Sequence, residues 1–371
     1  MTELDEKTDR LVRMLARNNL DAVILNAQHN FAWITCGGTN GVDLSRENGA
    51  ASIIVTREGE RYLLASVIEI ERMLAEEVSV VDFEPIDFNW QGEKADPASV
   101  LEKARYELNT GSVIATDVPL FADAMPIEGK IAACRFSLTT GERERYRQLG
   151  RDASDAMMRC IRSTLPGHTE REIAEVLRHE LATANIASVV TLVAADLRIA
   201  EFRHPVPSEN RWEMTLLIVT CAKRGGLIAS LSRMVNIGEP NDELKKRTEA
   251  AARVNAALLD AMRPGRSGAE LYHVAAAAYS DAGFSIEVDR HHQGGATGYR
   301  TRDWVAHPMS DETVQPWQAF AWNPSIAGTK IEETILVTRN GLETFTTSPE
   351  FPVIVTTING HEFHSPGILS I

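Results

Sequence analysis

A stretch of 22 residues occurs twice in this chain, once from Leu165 to Ile186 and again from Arg263 to Phe284. Leu165-Pro-Gly-His-Thr-Glu-Arg-Glu-Ile matches Arg263-Pro-Gly-Arg-Ser-Gly-Ala-Glu-Leu, and the register holds throughout, because Pro166/Pro264 and Ala184/Ala282 are both offset by 98 residues. Each copy follows an apolar helix, turns at Pro-Gly, offers Thr169 or Ser267 as a helix N-cap, and leads through a helix into a segment read as a strand, Ser188–Val193 or Ser285–Asp289. Two copies are too few to stack as a solenoid. They are expected to face each other about a pseudo-two-fold axis, with a ligand cleft between them.

The sequence before the repeat has a different rhythm. Short apolar runs at Asp21–Leu25, Ala51–Val55, Tyr62–Ala65, Val78–Val81 and Ser112–Ala115 alternate with helical stretches at Thr8–Asn18, Val67–Glu77 and Pro97–Leu108, the last with Asp96 as its cap. This is an α/β pattern. Thr139-Thr140-Gly141 breaks it, and a charged helix opens at Glu142, so the expected domains are 1–138 and 142–371. A chain of 371 residues suits two domains.

Charge narrows the partners. The chain has 38 Lys and Arg against 52 Asp and Glu, a formal net charge of -14, which repels a phosphate backbone or an anionic bilayer. No apolar run approaches the ~18–20 residues of a membrane span. The opening Met1–Lys7 lacks the basic-then-apolar order of a secretory signal. Four dispersed cysteines with no Cys-x-x-Cys pair fit reduced thiols rather than a disulfide framework or a zinc site. The expectation is a cytoplasmic protein with a small-molecule substrate and neither nucleic acid nor membrane as partner.

Three segments can carry chemistry. His204 lies in Glu201-Phe-Arg-His-Pro-Val-Pro-Ser-Glu-Asn-Arg-Trp212, where two prolines stiffen a loop able to present an imidazole to the cleft. Asp289–Trp304 packs three glycines, two histidines and three arginines into sixteen residues, giving close backbone approach and donors for an anionic group. His291, His292, Tyr299 and Arg302 are its candidates. In Gly328–Thr338 the adjacent Glu332 and Glu333 enter an apolar strand, so alternation turns one of them inward, where a carboxylate needs a partner. The strands expected to line the cleft, Leu216–Ala222 and Gly226–Val235, hold no acid, so a two-metal site is hard to build.

With these segments in order, the chain resembles the pita-bread family, which includes creatinase and the methionine and Xaa-Pro aminopeptidases. The resemblance covers nearly the whole chain. It implies an α/β creatinase-type N-terminal domain followed by an α+β pita-bread domain with an internal pseudo-two-fold repeat. The peptidases of the family hold two metal ions with two aspartates, a histidine and two glutamates. Those positions fall here at Thr220 or Cys221, at Ser230, at Gly295 in His291-His-Gln-Gly-Gly-Ala296, at Asn323 in Ala321-Trp-Asn-Pro-Ser325, and at Glu332. Only Glu332 keeps its ligand type, and no metal or other cofactor is expected. Creatinase works without metal, and its catalytic histidine matches His204, while one of its substrate-binding glutamates matches Glu332. The arginine that its N-terminal domain gives to the partner subunit is similar to Arg46 in Leu44-Ser-Arg-Glu-Asn-Gly49. Leu44 and Ser232 depart from creatinase, the latter where a guanidinium-binding glutamate would stand. Arg302 falls where the peptidases contact the reacting peptide.

The resulting expectation is a metal-independent, creatinase-like hydrolase of a C–N bond in a small carboxylate-bearing substrate, working as a homodimer. His204 acts as general base and acid, Glu332 and Glu333 hold a cationic or NH-rich group, and Arg302 with Arg46 clamps the carboxylate. Tyr299, His291 and His292 complete the substrate site. Three alternatives stand beside it: a lyase, isomerase or cyclising enzyme, a metal-dependent Xaa-Pro aminopeptidase, and a non-catalytic binding module.

Overall fold

The computed structural model describes residues 1–108 and 113–371. They form two compact units, one of Met1–Arg135 with Thr139–Gly141 and one of Phe136–Leu138 with Glu142–Ile371.

In the first unit the elements run α1 (Glu3–Arg17), β1 (Ala22–Ala27), α2 (Gln28–Ile34), β2 (Asn48–Thr56), β3 (Arg61–Ser66), α3 (Ile70–Arg72), β4 (Glu84–Phe88), α4 (Trp90–Ala95), α5 (Ala98–Glu107), β5 (Ile114–Thr116), β6 (Met125–Pro126) and α6 (Glu128–Arg135). The strands form one mixed sheet in the order β4-β3-β2-β1-β5-β6. Every residue of the central β1 is buried, which is why Ala22–Leu25 reads as a continuous apolar run rather than an alternating one, and the one polar residue, Asn26, donates to Gly49 O, Ala51 O and Ser52 Oγ. Ile24, Ile54, Leu64, Ile86 and Ile114 of the sheet share one core cluster with Val100, Leu101 and Ala104 of α5. α1 starts earlier than its apolar pattern suggests, because Thr2 and Asp5 close a capping box ahead of it. The expected strand at Val78–Val81 is instead an exposed turn, in which Ser79 Oγ accepts from Val81 N–H at 3.2 Å. Of the strand expected at Ser112–Ala115, Ser112 lies outside the described residues and Ile114 opens β5.

The elements of the second unit run from α7 (Thr140–Ser163), most of which belongs to it, through α8 (Glu170–Ala182), β7 (Ala187–Ala195), α9 (Leu197–Glu201), β8 (Thr215–Arg224), β9 (Leu227–Asn236), α10 (Asp242–Ala261) and α11 (Gly268–Asp281). After these come β10 (Gly294–Thr297), β11 (Trp304–Val305), β12 (Ala319–Trp322), β13 (Ser325–Ile326), β14 (Thr329–Lys330), β15 (Glu333–Val337), β16 (Leu342–Thr344), β17 (Val353–Ile358), β18 (His361–Pro366) and β19 (Ile368–Ser370). α8 and α11 are the repeated helices, and each opens on a capping box, Thr169 with Glu172 and Ser267 with Glu270. The first copy feeds β7 of a four-stranded sheet, β19-β9-β8-β7. The second copy departs from expectation, since Ser285–Asp289 is a turn of 3₁₀ helix. A strand there would bury Ile286 and expose Glu287, but Ile286 is 57% exposed and Glu287 is buried against Arg203. The sheet of this half starts later, as β11-β10-β12-β15-β16.

The two sheets are stitched where β9 meets the segment entering β15. Thr334 Oγ1 donates to Ser230 O at 2.9 Å and accepts from Ser230 N–H at 2.7 Å, and Ser232 N–H donates to Glu332 O at 3.1 Å. These bonds fix the Glu332 backbone beside β9.

Candidate active site

A cleft of about 270 Å³ opens at this seam, lined by Val190, Leu192, Val219, Cys221, His204, His292, Thr301, Arg302, Asn323, Lys330 and Glu332. Each of its polar walls has a local cause. The Phe202–Pro205 loop is tied to the 3₁₀ turn by the Arg203–Glu287 ion pair, which brings His204 up to the residues after that turn. His204 Nε2 lies 3.1 Å from His291 Nε2, and the His291 ring stacks on His292 with centroids 4.5 Å apart. Gln293 anchors the backbone beneath them, since its amide donates to His291 O and its Oε1 accepts from the Tyr279 hydroxyl at 2.7 Å.

On the opposite wall Arg302 Nη2 donates to Glu332 Oε1 at 3.0 Å, and Lys330 Nζ stands 4.0 Å from Glu332 Oε2. Lys330 and Glu332, two positions apart on an extended segment, share a face as alternation requires. That face was not read from the sequence, and the spacing Lys-x-Glu was the signal for it. Three buried polar atoms on this wall have no hydrogen-bond partner among the described residues: Arg302 Nε, Glu332 Oε2 and Asn323 Oδ1. A natively folded protein leaves few such groups, so a cluster of them around one cleft offers a ligand or ordered water three ready partners.

The electrostatics oppose added positive charge. Desolvation of the His204 ring, followed by the Lys330 charge, lowers its proton affinity below that of free imidazole, with Glu332 pulling the other way. Desolvation and the Lys330 charge bring His291 down to about 2, and desolvation with Arg302 brings His292 to about 4. Burial lowers the Lys330 ammonium as well, against the attraction of Glu332. The cleft therefore offers neutral imidazoles, a guanidinium and a buried amine around one carboxylate, and it suits an anionic group.

Not every expected residue meets the cleft. Glu333 points to the other side of the seam, where Arg233 Nη2 lies 3.0 Å away and the Thr346 hydroxyl donates to it, so it cannot assist Glu332 with a substrate. Tyr299 is buried and its hydroxyl donates to Glu142 Oε1 at 2.8 Å, which removes it from the substrate site. Arg46 belongs to the first unit, is 68% exposed at its side chain, and pairs with Asp43 Oδ2 at 2.7 Å.

The donor set does not fit the metal pair of the peptidases. Cys221 stands directly opposite Ser230 in the β8–β9 ladder, and Ser230 Oγ donates to Cys221 Sγ at 3.3 Å. Thr220 faces away, toward Ser188. A Cβ on Gly295 would stand 2.1 Å from Trp304 O, so the backbone itself excludes a histidine there. Asn323 supplies an amide, and Glu332, the single carboxylate left, is already bound to Arg302. One occupied carboxylate cannot bridge two divalent ions.

Comparison with known proteins gives this geometry its family. Residues 144–339 match the model of metallopeptidase family M24, and the chain belongs to that family. Its members break C–N bonds by hydrolysis. An Xaa-Pro dipeptidase of Pyrococcus horikoshii is 23% identical over 370 residues, covering 93% of this chain and 98% of that protein. Among solved structures, the prolidase of Pyrococcus horikoshii OT3 superposes with a TM-score of 0.75 at 20% identity, covering 92% of this chain and 98% of that one. The prolidase of Thermococcus sibiricus gives 0.77 at 17% identity, with coverage of 94% and 98%. At these identities the structures establish the fold, an α/β N-terminal unit followed by a pita-bread unit. The relatives favour the Xaa-Pro peptidase alternative over a creatinase-like one, and they lend no support to metal independence. No described helix is long and apolar enough to cross a membrane.

Proposed function

We propose that the protein hydrolyses the C–N bond of a small, dipeptide-sized substrate carrying a carboxylate, with Xaa-Pro dipeptides as the first class to test. The observation that carries this reading is the juxtaposition, across one cleft, of the neutral His204 imidazole with Arg302, Lys330 and Glu332. Arg302 and Lys330 bind the substrate carboxylate, and Glu332 Oε2 and Asn323 Oδ1 accept from its N–H groups. His204 takes the proton of the attacking water and returns it to the leaving nitrogen, a role worth about 10²–10⁴ in rate. His291, buried behind it, holds the ring in place. Metal independence is part of the proposal and rests on the donor set alone. Arg46 is assigned to the cleft of a second copy in a homodimer.

The metal-dependent Xaa-Pro peptidase reading has the relatives' names in its favour and the four substituted ligand positions against it. One experiment addresses both. The chain is purified with and without chelator and assayed on Xaa-Pro dipeptides and N-substituted amino acids in ¹⁸O-labelled water, beside His204→Ala. The proposal expects label in the acid product, turnover unaffected by chelator, and loss of turnover in the variant. Turnover only with added Mn²⁺ or Co²⁺ would establish the metal-dependent reading, and full turnover by His204→Ala would remove its assigned base.

A further inference from the structure

The chemistry that closes the carboxylate metal positions leaves another donor set on the same cleft. His204, His291 and His292 each offer a ring nitrogen, and the three nitrogens all lie within 4.8 Å of one another, the one group of three such donors among the described residues. Two nitrogens bound to a tetrahedral zinc at 2.0–2.1 Å stand roughly 3.4 Å apart. The His204 and His291 Nε2 atoms are already at 3.1 Å. That pair needs little adjustment, while the His291–His292 stack, 28° between planes, must open for His292 to turn a nitrogen toward the same ion. His204 sits before Pro205 on a loop tied by Arg203 to Glu287, and His291 is held through Gln293, so two of the three donors are fixed before any ion arrives.

We propose that these three histidines form a mononuclear site for a borderline transition-metal ion, Zn²⁺ or Cu²⁺, distinct from the carboxylate positions of the family, and that an ion bound there inhibits hydrolysis. The choice of ion follows from the ligands. Imidazole suits zinc and copper, and with no carboxylate in the set Mg²⁺, Ca²⁺ and Mn²⁺ have nothing to hold them. Arg302 and Lys330 across the cleft oppose a cation electrostatically, which further restricts the site to ions of strong imidazole affinity. The same two cations favour an anion such as chloride or hydroxide as the remaining ligand. Inhibition rests on the base role proposed for His204, because an imidazole lone pair given to a metal cannot also take a proton from water.

The test is equilibrium dialysis of the full chain against Zn²⁺ with metal analysis, together with the paramagnetic resonance spectrum of a Cu²⁺-loaded sample. The expected result is one Zn²⁺ per chain and a Cu²⁺ spectrum split by several imidazole nitrogens. His204→Ala, His291→Ala and His292→Ala should each weaken binding by more than the roughly tenfold to hundredfold cost of losing an outer-shell partner. His292, at the cleft wall, keeps part of its surface in water where His291 does not, so His292→Ala is informative even where the buried His291 variant fails to fold. Absence of Zn²⁺ binding by the wild type, equal binding by wild type and His292→Ala, or loss of binding in Glu332→Gln with the histidine variants unaffected would each overturn the site. Binding at the histidines with unchanged turnover would overturn the inhibition and the base role of His204 while leaving the metal site in place. Stimulation by Zn²⁺ would overturn the inhibition and favour the metal-dependent reading.

Discussion

Arg302 Nη2 lies 3.0 Å from Glu332 Oε1, and both side chains are almost wholly withdrawn from water, at 13% and 3% exposure. The carboxylate that in a metallopeptidase would face a metal ion is thus matched by an internal guanidinium. Removing one member of a buried pair strands the other charge and costs about 3–5 kcal/mol. Here Lys330 stays close to Glu332 and softens the loss. Arg302→Met should therefore destabilise the chain by about 3 kcal/mol in urea unfolding, and Arg302→Met/Glu332→Gln should recover part of that. A double variant no more stable than Arg302→Met would show that the pair is not energetically coupled.

Gly295 offers a direct test of whether the family's metal site can be restored. Its Cβ would meet Trp304 O at 2.1 Å and Val305 Cα at 2.9 Å, both backbone atoms of the neighbouring strand. Backbone cannot swing aside as a side chain can. Gly295→His should lower stability by at least the ~1–3 kcal/mol typical of overpacking, and Gly295→Ala should do nearly the same. Thermal unfolding of the two variants decides it, and a Gly295→Ala variant melting with the wild type would contradict the packing described here.

Much of this was legible in the sequence, and the failures share a cause. The repeat and its two N-caps, Thr169 and Ser267, depend on local signals, namely turn residues, caps and spacing. His204, His291, His292, Arg302 and Glu332 are polar residues in unusual sequence company, and the fold gathers them around one cleft. Tyr299 and Glu333 failed because their partners, Glu142 and Arg233, are 157 and 100 positions away, and no local pattern reports such a pairing. Lys330 was overlooked for the opposite reason. It is two residues from Glu332, and strand alternation alone puts it on the same face. Ser285–Asp289 mimicked a strand by alternating, but burying Glu287 with Arg203 inverted the pattern.

Acid should loosen the first unit through Glu128. Burial pushes this carboxyl up, but the His29 hydrogen bond at 3.1 Å, the Arg135 charge and the Asn30 amide outweigh it and hold it at about 2, against an ordinary value of 4.5. A carboxyl depressed in the folded state contributes stability above its unfolded value and loses it as pH falls toward its folded value. The contribution, at most about 3 kcal/mol, is complete at pH 7 and fades from about pH 4.5 downward. Glu128→Gln should be less stable than the wild type at pH 7, and the gap should narrow in urea melts taken between pH 5 and pH 3. A gap constant over that range would assign the difference to packing instead.

The homodimer reading of Arg46 can be tested without a structure of the assembly. Its side chain is exposed and its partner Asp43 is three residues away, so Arg46→Ala should leave stability within about 0.5 kcal/mol of the wild type. If Arg46 serves the cleft of a second copy, Arg46→Ala and His204→Ala are each inactive alone but complement when mixed. In a heterodimer one cleft receives both defects and the other receives neither. Random pairing makes half of the dimers mixed, so an equal mixture refolded together should regain about a quarter of wild-type turnover. Co-refolding, with the two chains distinguished by an affinity tag, measures this directly. No recovery in verified heterodimers would place Arg46 outside the partner's cleft, since a residue serving its own chain leaves every cleft of the mixture with a defect.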